Sequence, residues 1–163
     1  MSTLDAIRST FALSDMVLNS YVGDFRDSDL MTRPGIGCNH IAWQLGHLIS
    51  SEADLIDKVK AGSAVALPDG FADKHSKEAT ANDDANDFCS QAEYVALYKQ
   101  TRENSLSVIS SLPEESFSAE GPEDMRQFCP TMADFCCLIA SHPMMHVGQF
   151  VPVRRAHGKP IVI

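Results

Sequence analysis

The sequence contains no apolar run long enough to cross a lipid bilayer. The longest, from Phe135 to Ala140, is far shorter than the roughly 20 residues that a membrane-spanning helix needs. Residues 1–5 carry no basic charge and no long apolar segment follows them, so the pattern of a secretory signal peptide is missing. We therefore expect a cytoplasmic protein that does not enter a membrane.

Basic residues are scarce relative to acidic ones. The 13 lysines and arginines stand against 22 aspartates and glutamates, which leaves a formal net charge of −9. A field of this sign repels the phosphates of nucleic acids and of anionic lipids. The composition therefore argues against nucleic acid and anionic membrane surfaces as main partners.

Cysteine occurs in a pattern that suits neither a disulfide framework nor a zinc ribbon. The number is odd and no pair has the C-x-x-C spacing; the five are Cys38, Cys89, Cys129, Cys136 and Cys137. We expect buried free thiols in a reducing compartment.

Strand-like alternation is also missing, and helical periodicity takes its place. The 163 residues, 44% of them hydrophobic, are enough for one domain with a core, and we assign residues 1–163 to it. Apolar residues recur at helical spacing in four segments, at about 4–21, 39–61, 88–112 and 131–158. Asn39 is the expected N-cap of the second predicted helix.

A long polar segment separates the second predicted helix from the third. It covers residues 62–87 and contains Pro68, Gly70 and the run Asn82-Asp83-Asp84. A connection of this length is able to join two parallel neighbours, whereas antiparallel neighbours need only a short loop. The pattern therefore predicts an all-α fold, a four-helix bundle with one long crossover.

Two histidines of the fourth predicted helix form the sharpest local pattern. His142 and His146 stand four residues apart, so they share the apolar face of this helix, together with Gln149. Buried imidazoles need partners. Two interpretations remain open: a pair of hydrogen-bonded core histidines, or two ligands of one metal ion, which one helical turn places within reach of both rings.

A metal site here needs a third ligand from another helix. No glutamate lies between His142 and His146, which excludes the H-E-x-x-H zinc proteases. The candidates are His40 and His47, both on the second predicted helix. Periodicity places His47 beside Trp43, on the flank of the apolar stripe, and does not by itself identify it as the ligand.

Two segments together resemble the DinB-like proteins, the DinB/YfiT superfamily. They are W-Q-L-G-H-L at 43–48, followed by an acidic residue at 52, and H-x-x-x-H-V-G-Q at 142–149. The resemblance extends over nearly the whole chain. It implies a bundle with an up-down-down-up course, frequent homodimers, and one divalent metal ion held by His47, His142 and His146. Three imidazoles suit zinc, nickel, copper or iron, of which we expect zinc or nickel.

The resemblance also implies a class of chemistry. Characterised DinB-like proteins include thiol S-transferases that use mycothiol, bacillithiol or glutathione, and a thiol-dependent isomerase. We therefore expect a small-molecule thiol and an electrophilic substrate as partners, with His40 and Gln149 as possible supporting residues. The alternatives are a metal-dependent hydrolase that uses bound hydroxide and a bundle that binds a metal or ligand without catalysis.

One departure from the family pattern concerns Pro143, directly after the first histidine of the pair. Proline has no N–H to donate to the carbonyl of Ile139, so we expect a kink or local widening that re-aims His142. Such a change also puts in question whether a carboxylate orients the His142 ring.

Three further residues have simpler expectations. His40 should be a helix-start histidine near the surface, and His75 a solvated histidine of the crossover. Arg102, close to the apolar face of the third predicted helix, should pair with a carboxylate inside the bundle.

Overall fold

The computed structural model describes residues 1–162, and this part of the chain is helical, without a β-strand. Four long helices carry the fold, and two single-turn helices lie in the connections. Their bounds are α1 Thr3–Val22, α2 Asp27–Leu30, α3 Ile41–Val59, α4 Phe71–Lys74, α5 Gln91–Ser110 and α6 Met132–Ala156. The predicted all-α class is confirmed, and each of the four predicted segments coincides with a long helix.

Side-chain caps explain where the long helices begin. Ser2, Ser90 and Thr131 each accept the backbone N–H three residues ahead, and an acidic residue at that position bonds back to the N-cap backbone. The cap of α3 differs from the prediction, since it is His40 rather than Asn39. Its imidazole Nδ1 accepts the N–H of Trp43 at 3.0 Å.

The long helices pair in parallel in two places. Ser14 bonds to the carbonyl of Ala140, and Asp24, just past the end of α1, pairs with Arg154 further along α6, so α1 and α6 run in the same direction. The crossover between α3 and α5 likewise returns the chain to the starting end, so that residues early in α3 pack with residues early in α5 and Ile56 packs near Ile109.

The other two pairings are antiparallel. Arg8 bonds to Ser110 while Arg102 pairs with Asp15, so residue numbers rise along α1 as they fall along α5. The same relation holds for α3 and α6, because Gln44 contacts His146 and the later His47 contacts His142. Helices α1 and α6 therefore run in the direction opposite to that of α3 and α5.

The crossover is ordered against the bundle by a buried histidine. His75 is 2% exposed. Its Nδ1–H donates to the carbonyl of Phe71 and its Nε2 accepts from the hydroxyl of Tyr94, both at 2.7 Å. The expectation of a solvated His75 is wrong, because the single turn of α4 directs this ring into the bundle. The polar composition of the crossover does not reveal this burial.

Helix α3 makes room for that ring with a glycine. A Cβ on Gly46 would lie 2.0 Å from the His75 ring. Since both ring nitrogens are already hydrogen-bonded, the ring has no easy way to retreat. The close approach therefore requires glycine at position 46, one residue before His47.

No helix within residues 1–162 combines the length and apolar character of a membrane span.

Gly46→Ala is expected to lower the free energy of unfolding by about 1–3 kcal/mol, because the added methyl group overpacks the contact with His75. Urea unfolding of the metal-free protein measures the change. The matched control is Gly148→Ala, on an exposed stretch of α6 where a Cβ meets nothing within 4 Å. That variant should gain about 0.5–1 kcal/mol from helix propensity. Equal gains in both variants would contradict the tight contact.

Candidate metal centre

Two antiparallel helices bring three histidines together. His47 lies on α3, and His142 and His146 lie one turn apart on α6. Each ring offers one nitrogen, and these three nitrogens lie within 4.8 Å of one another. Nitrogens bound tetrahedrally to one zinc ion at about 2.0–2.1 Å would be separated by roughly 3.4 Å. Small side-chain movements would therefore give all three rings bonding distances to one ion.

His146 has the most constrained ring of the three. It is 6% exposed, and its Nδ1–H donates to Oε1 of Gln44 at 3.0 Å. The Gln44 amide is oriented in turn, because its Nε2 donates to the carbonyl of Asn39 at 2.7 Å. This bond places the proton on Nδ1 and leaves a lone pair on Nε2, which is buried and has no partner within residues 1–162. An orphaned buried acceptor fits a metal ion, since an unpaired polar group is otherwise costly.

A stacked tryptophan supports His47. The rings of Trp43 and His47 lie 4.9 Å apart and are nearly parallel, at 6°. The indole N–H donates to the carbonyl of Ser76 at 3.0 Å, so the crossover fixes the tryptophan. Trp43 is buried, so the flank of α3 that carries His47 is covered at this residue.

His142 stands edge-on to both partner rings, with centroids 5.7 Å from His47 and 5.0 Å from His146. Helix α6 continues as one α-helix past Pro143 to Ala156. The carbonyl of Ile139, for which Pro143 provides no N–H, accepts instead from Nη1 of Arg102 at 3.0 Å. Arg102 also pairs with Glu52 at 2.9 Å, which confirms its predicted ion pair inside the bundle.

Burial keeps the three imidazoles neutral. Together with the smaller effect of the neighbouring rings of the cluster, burial lowers the pKa of His142 to about 4 and that of His146 to about 3. Burial also lowers the pKa of His47, with Lys77 adding to the effect. Neutral imidazole is the form that binds metal, so at neutral pH the cluster needs to lose no proton before binding.

His40 lies outside the cluster and is fully engaged elsewhere. It is 1% exposed, so the expectation of a near-surface residue is wrong. Nδ1 caps α3, and Nε2–H donates to the carbonyl of Asn82 at 3.0 Å. Both ring nitrogens thus have partners, and the metal-competent group among residues 1–162 does not include His40.

The amide that orients His146 belongs to Gln44, whereas the sequence pattern indicated Gln149 as a supporting residue. Gln149 is half-buried on α6. Gln44 is 1% exposed and lies three residues before His47, inside the W-Q-L-G-H-L segment. A glutamine within an otherwise apolar stretch was the available signal, because a buried amide needs partners.

The cysteines do not join the histidines. All five are free thiols, and the metal-competent group found among residues 1–162 consists of the three histidines alone. Burial raises the pKa of Cys136 to about 12, which disfavours the thiolate that metals bind.

The geometry defines the class of the protein: it is an all-helical bundle in which three imidazoles converge. The family model described as the DinB superfamily matches residues 10–150. The chain therefore belongs to the DinB superfamily, as the resemblance of its two histidine segments implies. No curated protein and no solved structure gives a significant match.

The metal-free protein is expected to lose stability as the pH falls from about 6.5 to about 4. In this window histidines of the unfolded chain bind protons near their ordinary pKa of about 6.5, whereas His142 stays neutral in the folded state because its pKa is lowered to about 4. In this window the unfolded state therefore binds more protons than the folded state, so the free energy of unfolding decreases as the pH decreases. Urea unfolding at a series of pH values measures the slope.

His146→Gln provides the comparison for this pH series. The variant removes one histidine whose pKa is lowered on folding, so its stability should depend less steeply on pH over the same window. Parallel curves for wild type and variant would contradict a neutral, buried His146.

Proposed function

We propose that the protein binds one divalent metal ion, zinc or nickel, through His47, His142 and His146 and uses it as a thiol S-transferase. The observation that carries this proposal is the convergence of three neutral imidazoles, with the buried Nε2 of His146 left without a partner. Three protein ligands leave a coordination position open, as catalytic zinc sites do and closed structural sites do not.

A cavity beside His47 supports a small-molecule substrate. It has a volume of about 300 Å³ and lies between α3 and the crossover; we call it the His47 cavity. Most of the residues that line it have polar or charged side chains; they are His47, Ser50, Ser51, Asp54, Ala72, Asp73, His75, Ser76 and Lys77. Hydroxyls and charges of both signs suit a polar molecule better than a purely apolar one.

A divalent ion held by the three histidines would lower the pKa of a thiol bound to it and so favour the thiolate. In the proposed transfer the thiol would lose its proton to solvent, its sulfur would form a bond to an electrophilic carbon, and the leaving group would depart from that carbon with its electron pair. Gln44 and Trp43 hold the rings of His146 and His47 in place for this reaction. No carboxylate joins the three-histidine group within the described residues, and a thiol needs no added base once it is coordinated.

A metal-dependent hydrolase is the second candidate, since the same three imidazoles suit activation of water. The lack of a carboxylate in the cluster favours the transferase, because hydrolases of this kind commonly use an acidic residue as general base. A bundle that binds metal without catalysis is the third possibility. The family resemblance also leads us to propose a homodimer in solution.

Protein purified without a metal-affinity tag should contain near-stoichiometric metal, and His146→Ala should contain almost none. Plasma mass spectrometry measures both. His157→Ala is the control, because His157 lies beyond the cluster at the end of α6 and bonds to Thr32. Wild-type protein that stays metal-free after incubation with zinc and nickel would overturn the proposed site.

The metal-loaded protein should conjugate a low-molecular-weight thiol to a model electrophile, and the rate should fall by at least about 100-fold in His146→Ala, since the metal provides the thiolate. The assay follows thioether formation over a panel of thiols. Hydrolysis of esters or amides without any thiol would favour the hydrolase instead, and full metal occupancy with no turnover in either assay would favour a binding role.

A further inference from the structure

Pro143 leaves a carbonyl of the metal-bearing helix without its usual donor, directly beside His142. In an α-helix the carbonyl of Ile139 would accept the N–H of residue 143, which proline lacks. Ile139 is 1% exposed, so solvent cannot take the place of the missing donor. A buried carbonyl without a partner would destabilise this turn of α6.

An arginine from another helix supplies the missing hydrogen bond. Arg102 on α5 donates from Nη1 to the carbonyl of Ile139 at 3.0 Å and from Nη2 to the carbonyl of Ala140 at 3.2 Å. The hydroxyl of Ser14 also donates to Ala140, at 2.7 Å. The turn of α6 that ends at His142 is therefore held by side chains of α5 and α1.

The guanidinium has no freedom to move. Nε–H donates to Asp15 at 2.6 Å, the second Nη1–H to Glu52 at 2.9 Å, and the second Nη2–H to Ser14 at 2.8 Å. Together with the two carbonyls of α6, these acceptors use all five N–H groups of an arginine. The group is 3% exposed and lies 3.9 Å above the ring of Phe11.

Both helices of the histidine cluster meet at this one guanidinium. Glu52 belongs to α3, five residues after His47, and Ile139 belongs to α6, three residues before His142. Arg102 thus bonds to α3 and α6 at the same time, on the side of the ligands toward the bundle interior. A shift of α6 along α3 would break at least one of these bonds.

We propose that Arg102 is a positioning residue that replaces the hydrogen bond lost at Pro143 and thereby fixes His142 relative to His47. The inference rests on the proposed metal site, because it assigns Arg102 a role in the geometry of that site. Arg102 itself contacts neither ligand ring.

A double-mutant cycle with Pro143→Ala tests this role. Alanine restores an N–H for the carbonyl of Ile139, so Arg102 is no longer needed there. Arg102→Met should weaken zinc affinity about 10-fold or more in the wild-type background, as loss of a group supporting a metal ligand does. In the Pro143→Ala background the same substitution should cost less than about 3-fold, a non-additivity expected of coupled residues. Competition with a chromophoric chelator measures the affinities.

The melting temperature separates the positioning role from a purely structural one. Asp15 and Glu52 lose the guanidinium in both backgrounds, so the melting temperature of the metal-free protein should fall in both, whereas for a positioning residue zinc affinity alone should recover with Pro143→Ala. The absorption spectrum of the cobalt-substituted protein should likewise change with Arg102→Met and return toward wild type in the double variant. Lys99→Met, on the exposed side of α5, is the control and should change neither property.

If the Arg102→Met variant does not fold, Arg102→Lys replaces it in the double-mutant cycle. It keeps the buried charge, but one ammonium group cannot reach all five acceptors, so zinc affinity should still fall. An equal loss of affinity in both backgrounds, or no loss in either, would overturn the positioning role while leaving the metal site intact. Wild-type protein that binds no zinc would instead remove the proposed function, and this inference with it.

Discussion

The guanidinium of Arg102 connects α5 to all three other long helices. It bonds to Asp15 and Ser14 of α1, to Glu52 of α3 and to a carbonyl of Ile139 in α6. A buried ion pair adds little net stability compared with apolar packing, because both charges must be removed from water. We expect its effect to be on specificity, because all five donors have acceptors in the observed placement of the four helices and a shift of one helix would break some of these bonds. Burial raises the pKa of Glu52, although Arg102 opposes the shift.

The crossover provides the second set of contacts that shape the site. It brings His75 against Gly46 and offers the carbonyl of Ser76 to the indole of Trp43. Both contacts lie within one turn of His47, so the connection between α3 and α5 also forms a wall of the cavity beside that histidine. This segment is polar in composition, yet it takes part in the core, because its few buried groups find partners on the neighbouring helices.

Desolvation accounts for the neutral charge state of the histidine cluster and makes its geometry suitable for a cation. Removing water from three adjacent imidazoles disfavours the protonated form of each, and the closeness of the rings disfavours it further. As a result, the imidazole nitrogens of the cluster keep their lone pairs unprotonated at neutral pH. A divalent ion bound between the rings would satisfy all three at once, and the bond from His146 to Gln44 sets the tautomer of His146 that such binding would require.

Periodicity and spacing determined the local features of this protein: the four long helices, the common face of His142 and His146, and the absence of a membrane span follow from residues close in sequence. The tertiary structure decided the rest. The burial of His75, the choice of Gln44 as the orienting amide and the bond from Arg102 to Ile139 join residues at least 19 positions apart. Periodicity describes one helix at a time, so it identifies a buried polar group but not its partner. That partner depends on how far each helix is shifted along its neighbour, which only packing of the whole bundle sets.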